Sequence, residues 1–92
     1  MYKIDFEDTD KVAKFLKNIP KTDAKRIIDK IEPLSENPYP GDAKFVKSKT
    51  YKNLKIFRIR CGKFRILYYV KHEKLMVVIV KIDKRDKVYQ SK

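Results

Sequence analysis

Residues 54–70 read Leu-Lys-Ile-Phe-Arg-Ile-Arg-Cys-Gly-Lys-Phe-Arg-Ile-Leu-Tyr-Tyr-Val. Apolar and charged side chains alternate on both sides of a short turn at Cys61-Gly-Lys63, which predicts an antiparallel hairpin of strands Leu54–Arg60 and Phe64–Val70. Successive strand residues point to opposite faces, so Phe57 and Ile59 share one side and Arg58 and Arg60 the other. By the same parity Arg65 stands opposite to Phe64, Ile66 and Tyr68. A strand that gives its non-core face to arginine holds guanidinium forks on a rigid surface, an arrangement suited to bidentate phosphate binding. A charged, solvated sheet face that merely guards against edge pairing has the same appearance.

The period-two pattern extends outward from this hairpin. Ala43–Lys47 reads as a short strand and Leu75–Ile82 as a closing one, reached through a turn at Lys71–Lys74. Toward the N-terminus, Tyr2–Phe6 alternates as a half-buried strand does. Asp8, Thr9 and Asp10 then offer N-cap oxygens to a helix that runs to about Asn18 with Val12, Phe15, Leu16 and Ile19 as its stripe. Pro20 ends that pattern. Thr22 and Asp23 are expected to cap a second helix carrying Ala24, Ile27, Ile28, Ile31 and Leu34. Pro33 lies within this stripe, so the helix either kinks there or ends near Ile31. Asn37–Gly41 is a loop. The expected architecture is α+β, a β-α-α-β-β-β domain with the N-terminal helical hairpin on one face of a mainly antiparallel sheet, its other face left open.

Composition fixes the class. A chain of 92 residues and 11.0 kDa buries roughly 60–65% of its unfolded surface, enough for one domain over residues 1–92. With 24 Lys and Arg against 12 Asp and Glu, the net charge is +12, which draws in polyanions. Residues 1–43 carry eight basic and nine acidic side chains, whereas residues 44–92 carry sixteen basic and three acidic, Glu73, Asp83 and Asp86. The whole excess therefore belongs to the strand-rich half, unlike a surface that is basic only for solubility.

Several chemistries fall away. Cys61 is the single cysteine and His72 the single histidine. That excludes an intrachain disulfide, a Cys- or His-pair zinc site and a two-histidine mechanism of RNA hydrolysis. No metal and no cofactor are expected. The opening Met-Tyr-Lys-Ile-Asp-Phe-Glu-Asp-Thr-Asp has no apolar core of a signal peptide, and the longest apolar run, Leu75–Val80, is too short to span a membrane. A soluble cytoplasmic protein is expected, with no membrane partner. Cys61, between Arg60 and Lys63, is expected to have a somewhat lowered thiol pKa, yet no second catalytic group accompanies it and it reads as structural. His72 and Glu73 read as solvated turn residues. Tyr68 and Tyr69 read as a core and a face residue of their strand.

Residues 53–68 also resemble the central hairpin of the RelE/ParE toxin superfamily, which usually runs L-Y-R-L-R-V-G-D-Y-R-I-L-Y. Val78–Tyr89 is similar to that superfamily's terminal strand and its V-G-H-R-x-D-V-Y ending, and Glu36-Asn37-Pro38 follows the two helices as its E-N-P does. The likeness spans essentially the whole chain. It implies a type II toxin neutralised by a RelB-like antitoxin in a hetero-oligomer. For RelE-type members it implies an mRNA interferase, a ribosome-dependent endoribonuclease that cleaves mRNA in the A site, touches rRNA and inhibits translation. Carried over residue by residue, the resemblance gives Arg65 to the scissile phosphate and Arg85 to leaving-group protonation and charge stabilisation. It gives Tyr89 to base stacking and orientation of the 2′-hydroxyl, although a tail tyrosine can equally pack back on the sheet. Arg58, Arg60 and Lys84 fall on basic, RNA-binding positions.

One departure concerns the base. Some RelE enzymes hold two lysines where this chain has Ile56 and Arg58. Lys55 is adjacent but on the opposite parity, and Lys47, Lys49 and Lys52 are the other substitutes at hand. Arginine stabilises charge but stays protonated, so it does not take the proton from a 2′-hydroxyl. Two other readings stay open: a ParE-like DNA gyrase inhibitor, and a non-catalytic basic RNA-binding module.

Overall fold

The computed structural model describes residues 1–47, 51 and 53–84. In chain order the elements are β1 (Lys3–Phe6), α1 (Thr9–Lys17), α2 (Lys21–Ile31), a 3₁₀ turn (Glu32–Ser35), β2 (Lys44–Val46), β3 (Ile56–Cys61), β4 (Phe64–Lys71), a second 3₁₀ turn (His72–Lys74) and β5 (Met76–Lys84). The strands form one sheet in the order β1-β5-β4-β3-β2. β1 runs parallel to β5, and every other pairing is antiparallel.

Helix α1 begins as the sequence predicts. Asp8 is extended (φ −134°), and its Oδ1 accepts the Lys11 N–H at 3.0 Å, satisfying a donor that the first turn leaves without a partner. Lys14 and Lys17 in the last turn suit the negative end of the helix dipole. Helix α2 starts earlier than its predicted caps. Pro20 occupies the N-cap and its carbonyl already accepts the Ala24 N–H at 3.0 Å. Thr22 and Asp23 therefore lie inside the first turn, and no side chain caps this helix. Pro33 resolves the other end: α2 stops at Ile31, and the chain tightens into the 3₁₀ turn with Pro33 in its first positions, where a missing N–H costs nothing.

Both helices pack on one face of the sheet. Val12, Ile27, Ile31 and Leu34 meet Ile59, Phe64, Ile66, Tyr68, Val77, Ile79 and Ile82. Tyr68 is wholly buried, and its hydroxyl donates to the Pro38 carbonyl at 2.7 Å; burial pushes its phenol pKa far up. Gly62 takes φ +58° at the first of the two residues between Cys61 and Phe64, the conformation a tight hairpin turn demands of its glycine.

The opposite face is less open than expected. Ile56, Val78 and Val80 are buried there or at its margin, outside the helix-side core. Tyr51, which precedes β3, donates its hydroxyl to Glu7 Oε1 at 3.0 Å. Because Glu7 follows β1 at the far edge of the sheet, Tyr51 stands across this second face beside Leu67 and Val80.

One irregularity sets what β5 presents. Leu67 faces Lys81 and Tyr68 faces Ile79, so Val80 is an extra residue, a β-bulge. Parity flips across it. Val77 and Ile79 point to the helices before the bulge, Ile82 after it, and Lys81 and Asp83 turn to the second face.

Candidate nucleic-acid interface

The cross-strand register arranges the second face in rows. At the Gly62 end, Arg60 pairs with Arg65 and Arg65 with Asp83. In the next row Lys44, Arg58, Leu67 and Lys81 follow one another across β2, β3, β4 and β5. Beyond that the face becomes apolar, where Val46 pairs with Ile56 and Tyr69 with Val78. Among the described residues, five cations thus gather at one end of the sheet, with Asp83 between them and Glu7 at the flank beside Lys81.

Asp83 meets Arg65 as a fork meets a fork. Arg65 Nε donates to Oδ1 and Nη2 to Oδ2, each at 3.1 Å, with the two side chains only 22% and 14% exposed. Lys81 Nζ lies 3.7 Å from the same Oδ2. The clamp uses two of the five guanidinium N–H bonds and leaves three for a ligand, while it fixes the plane of the group. Arg60 is exposed and makes no ion pair with a described residue. Arg58 is half-buried between its neighbours in the row.

Three of the residues proposed from sequence are therefore brought together: Arg58, Arg60 and Arg65. Lys84 pairs with Phe64 and takes the helix-side parity, so the fold sets it off the second face although it is exposed. Lys47 and Lys55 lie just past the Val46–Ile56 pair, about five residues along the strand from Arg60, or roughly 17 Å. Arg85, Tyr89, Lys49 and Lys52 fall outside the described residues. Lys44, Lys81 and Asp83 were missed. Lys44 follows from extending the parity argument to the short β2, whereas Lys81 and Asp83 reach this face only through the bulge.

Two minor expectations are corrected. His72 is not merely solvated: Tyr2 Oη lies 3.0 Å from Nδ1 and Tyr39 Oη 2.8 Å from Nε2. Cys61 is half-buried, and desolvation raises its thiol pKa against the smaller lowering pull of Lys30 and Arg26. Proximity to Arg60 and Lys63 in sequence does not decide its environment. Among the described residues no three His, Cys, Asp or Glu side chains gather closely enough to hold a metal ion, and no helix is long and apolar enough to cross a membrane.

Comparison with known proteins adds family and fold. The profile of the ParE toxin of type II toxin–antitoxin systems, parDE, matches residues 6–89. A Methanocaldococcus jannaschii protein that carries the toxin name RelE1 is 33% identical over 89 residues, which are 97% of this chain and 98% of that protein. Among solved structures, the fold is similar to RelE in the archaeal RelE–RelB complex of Pyrococcus horikoshii, with a TM-score of 0.75 and 24% identity over 91% of this chain and 94% of that one. It is also similar to the isolated RelE toxin of E. coli, with a TM-score of 0.67 and 22% identity over 99% of this chain and 94% of the other.

Proposed function

Because the chain belongs to the RelE/ParE family of type II toxin–antitoxin toxins, we propose that it is a ribosome-dependent endoribonuclease that cleaves mRNA in the A site and is held inactive by a RelB-like antitoxin in the cytoplasm. The observation that carries this reading is the row Arg60–Arg65–Asp83 beside Lys44, Arg58 and Lys81. It gathers fixed cations on a rigid sheet face, where charge grows on a phosphate under attack.

In this reading the 2′-hydroxyl of one nucleotide releases its proton to water as its oxygen attacks the adjoining phosphorus, the 5′-oxygen of the next nucleotide leaves with a proton, and a 2′,3′-cyclic phosphate remains. The three N–H bonds of Arg65 not used by Asp83 meet the equatorial oxygens as they gain charge, an electrostatic contribution of the oxyanion-hole kind. Arg58 and Arg60 hold the flanking phosphates and so supply alignment. Arg85 and Tyr89 take the roles that the family resemblance gives them, protonation of the leaving oxygen and stacking on a base. Asp83 orients Arg65, because both of its oxygens are taken by the guanidinium fork. The ribosome supplies the remaining alignment of the mRNA.

A second reading is favoured by one observation, that Arg65 is already engaged by a carboxylate. A toxin of ParE type that inhibits DNA gyrase needs no free phosphate-binding arginine. The two part in one experiment. Purified protein is added to a translating extract, with mRNA 5′ ends mapped by primer extension, and in parallel to a gyrase supercoiling assay. Codon-phased cuts that fall about 100-fold or more in Arg65→Ala, as loss of one charge-stabilising donor does, support the nuclease. Loss of supercoiling with intact mRNA supports the gyrase inhibitor and sinks the nuclease.

A further inference from the structure

At the end of the sheet remote from the Gly62 turn, a cleft of about 620 Å³ opens between the loop after the first 3₁₀ turn, the start of β3 and the end of β4. The cleft wraps the end of the sheet: Tyr39, Phe57 and His72 wall it from the helix side, Tyr69 from the second face, and Asn53 and Lys55 stand with them. Its size falls in the range of small-ligand sites. The aromatic walls are held in place before any ligand arrives. Tyr39 packs edge-on against Phe57 at 5.0 Å, and its ring lies 5.9 Å from that of His72. His72 in turn has Tyr2 and Tyr39 hydroxyls on its two nitrogens. Tyr39 is nonetheless 41% exposed, so part of its ring is open to a ligand.

The chemistry around these walls is cationic. Lys55 is exposed beside the cleft, and Lys71 Nζ lies 6.0 Å from the centroid of the Tyr69 ring. Glu73 in the neighbouring turn, and Glu7 and Asp5 on the Tyr69 side, are the opposing charges. Asn53 offers both a donor and an acceptor, the pair that the edge of a heteroaromatic base engages. Flat aromatic faces with cations beside them are how single-stranded nucleic acid is held, since every base has a π-face and every link a phosphate. The cleft and the arginine row share β3 and β4, with Tyr69 four residues beyond Arg65, or roughly 13 Å along the strand. One strand of RNA is long enough to touch both.

We propose that this cleft is a second RNA subsite, which stacks one unpaired base of single-stranded RNA on its aromatic walls and takes the adjoining phosphate on Lys55. The proposal rests on the reading of RNA as the ligand of the arginine row and extends the bound strand beyond the scissile position.

The test uses the full chain and a short oligouridylate bearing one 5-iodouracil, which photocross-links to stacked aromatic rings. Cross-links on Tyr39, Phe57 or Tyr69 are the expected result. Tyr39→Leu should weaken oligonucleotide binding by about 5- to 100-fold, the range of one lost stacking contact. Lys55→Glu, on an exposed side chain that the fold does not need, should weaken it severalfold and flatten the salt dependence by about one phosphate. Cross-links confined to residues 58–67 and 81–84, with both variants binding within twofold of the wild type, overturn the proposal. So does protection of the cleft by an antitoxin peptide when the oligonucleotide leaves no cross-link there. The outcome is separable from that of the nuclease: an extract without codon-phased cuts, alongside loss of RNA binding in both variants, removes the cleavage and keeps the subsite.

Discussion

A guanidinium that gives two N–H bonds to a carboxylate has part of its charge answered and its orientation fixed, and both consequences bear on how Arg65 would meet a phosphate. Asp83→Asn separates them. The amide keeps a hydrogen-bond acceptor near Nε but removes the negative charge, so incoming phosphate no longer competes with a carboxylate. RNA affinity at low salt should rise by about threefold to tenfold, the effect of roughly 1 kcal/mol. Cleavage should slow because the fork is held less firmly. Stability should fall by about 1–2 kcal/mol, between the values for exposed and buried pairs, since the partners are 22% and 14% exposed. Equal affinity and equal rate in the variant would leave Asp83 with no part in the site. Its absence from the sequence reading has a geometric cause. Alternation along residues 54–70 is enough to place Arg58, Arg60 and Arg65 on one face, because a two-residue turn fixes their register. The same alternation carried along β5 puts Asp83 with Val77 and Ile79 on the helix side. Only the extra Val80 turns it toward Arg65, and no residue type at 80 announces a bulge.

The elements show where local rules suffice and where contacts distant in sequence intervene. Strand periodicity located the five described strands to within about two residues at their ends, and helical periodicity did the same for α1. Helix α2 began ahead of its expected caps, and the 3₁₀ turn at Glu32–Ser35 was not foreseen. Of the two outcomes open at Pro33, α2 ended at Ile31. The cap of α2 went to Pro20 because its carbonyl makes the first helical bond whatever Thr22 offers. The second face was expected to be bare because a strand pattern carries no sign of the Tyr51–Glu7 contact, made between residues 44 apart. His72 is a similar case, a turn residue by every local signal that ties the loop at Tyr39 and the start of β1 at Tyr2 to the β4–β5 turn. Replacing it by leucine removes both links and leaves a similar volume. At about 0.5–1 kcal/mol for each of two solvent-exposed hydrogen bonds, the lower part of the usual range, His72→Leu should lower stability by about 1–2 kcal/mol. For a domain of this size the melting temperature should then drop by about 5–10 °C, read by circular dichroism against temperature. An unchanged melting temperature would mean that the two tyrosines are equally well placed without the imidazole.

At the scale of the whole molecule, the two halves of the chain divide the work. Residues 1–43 give β1 and the helical layer, close to neutral, and residues 44–92 give the basic strands, with an excess of thirteen positive charges. Folding converts that lengthwise division into a spatial one, because the helices cover one sheet face and the register gathers Lys44, Arg58, Arg60, Arg65 and Lys81 at one end of the other. A polyanion that binds there releases counterions in proportion to the phosphates it brings into contact. With the five described cations set against Asp83, about four phosphates are neutralised, and for a single strand the slope of log K against log salt should be about −3. Affinity for a single-stranded oligoribonucleotide should then fall about sixtyfold between 50 mM and 200 mM salt, as that slope dictates. Removing the carboxylate with Asp83→Asn should steepen the slope by about 0.7. Reversing an exposed helix charge with Lys25→Glu should leave it unchanged, because that side chain faces away from the basic rows. A wild-type slope shallower than about −1 would mean that the gathered charge is not where RNA binds, and one altered as much by Lys25→Glu as by Asp83→Asn would mean that only net charge matters. The measurement therefore asks whether +12 acts as a diffuse field or as a built surface, and the register of β2 through β5 is the reason to expect the second.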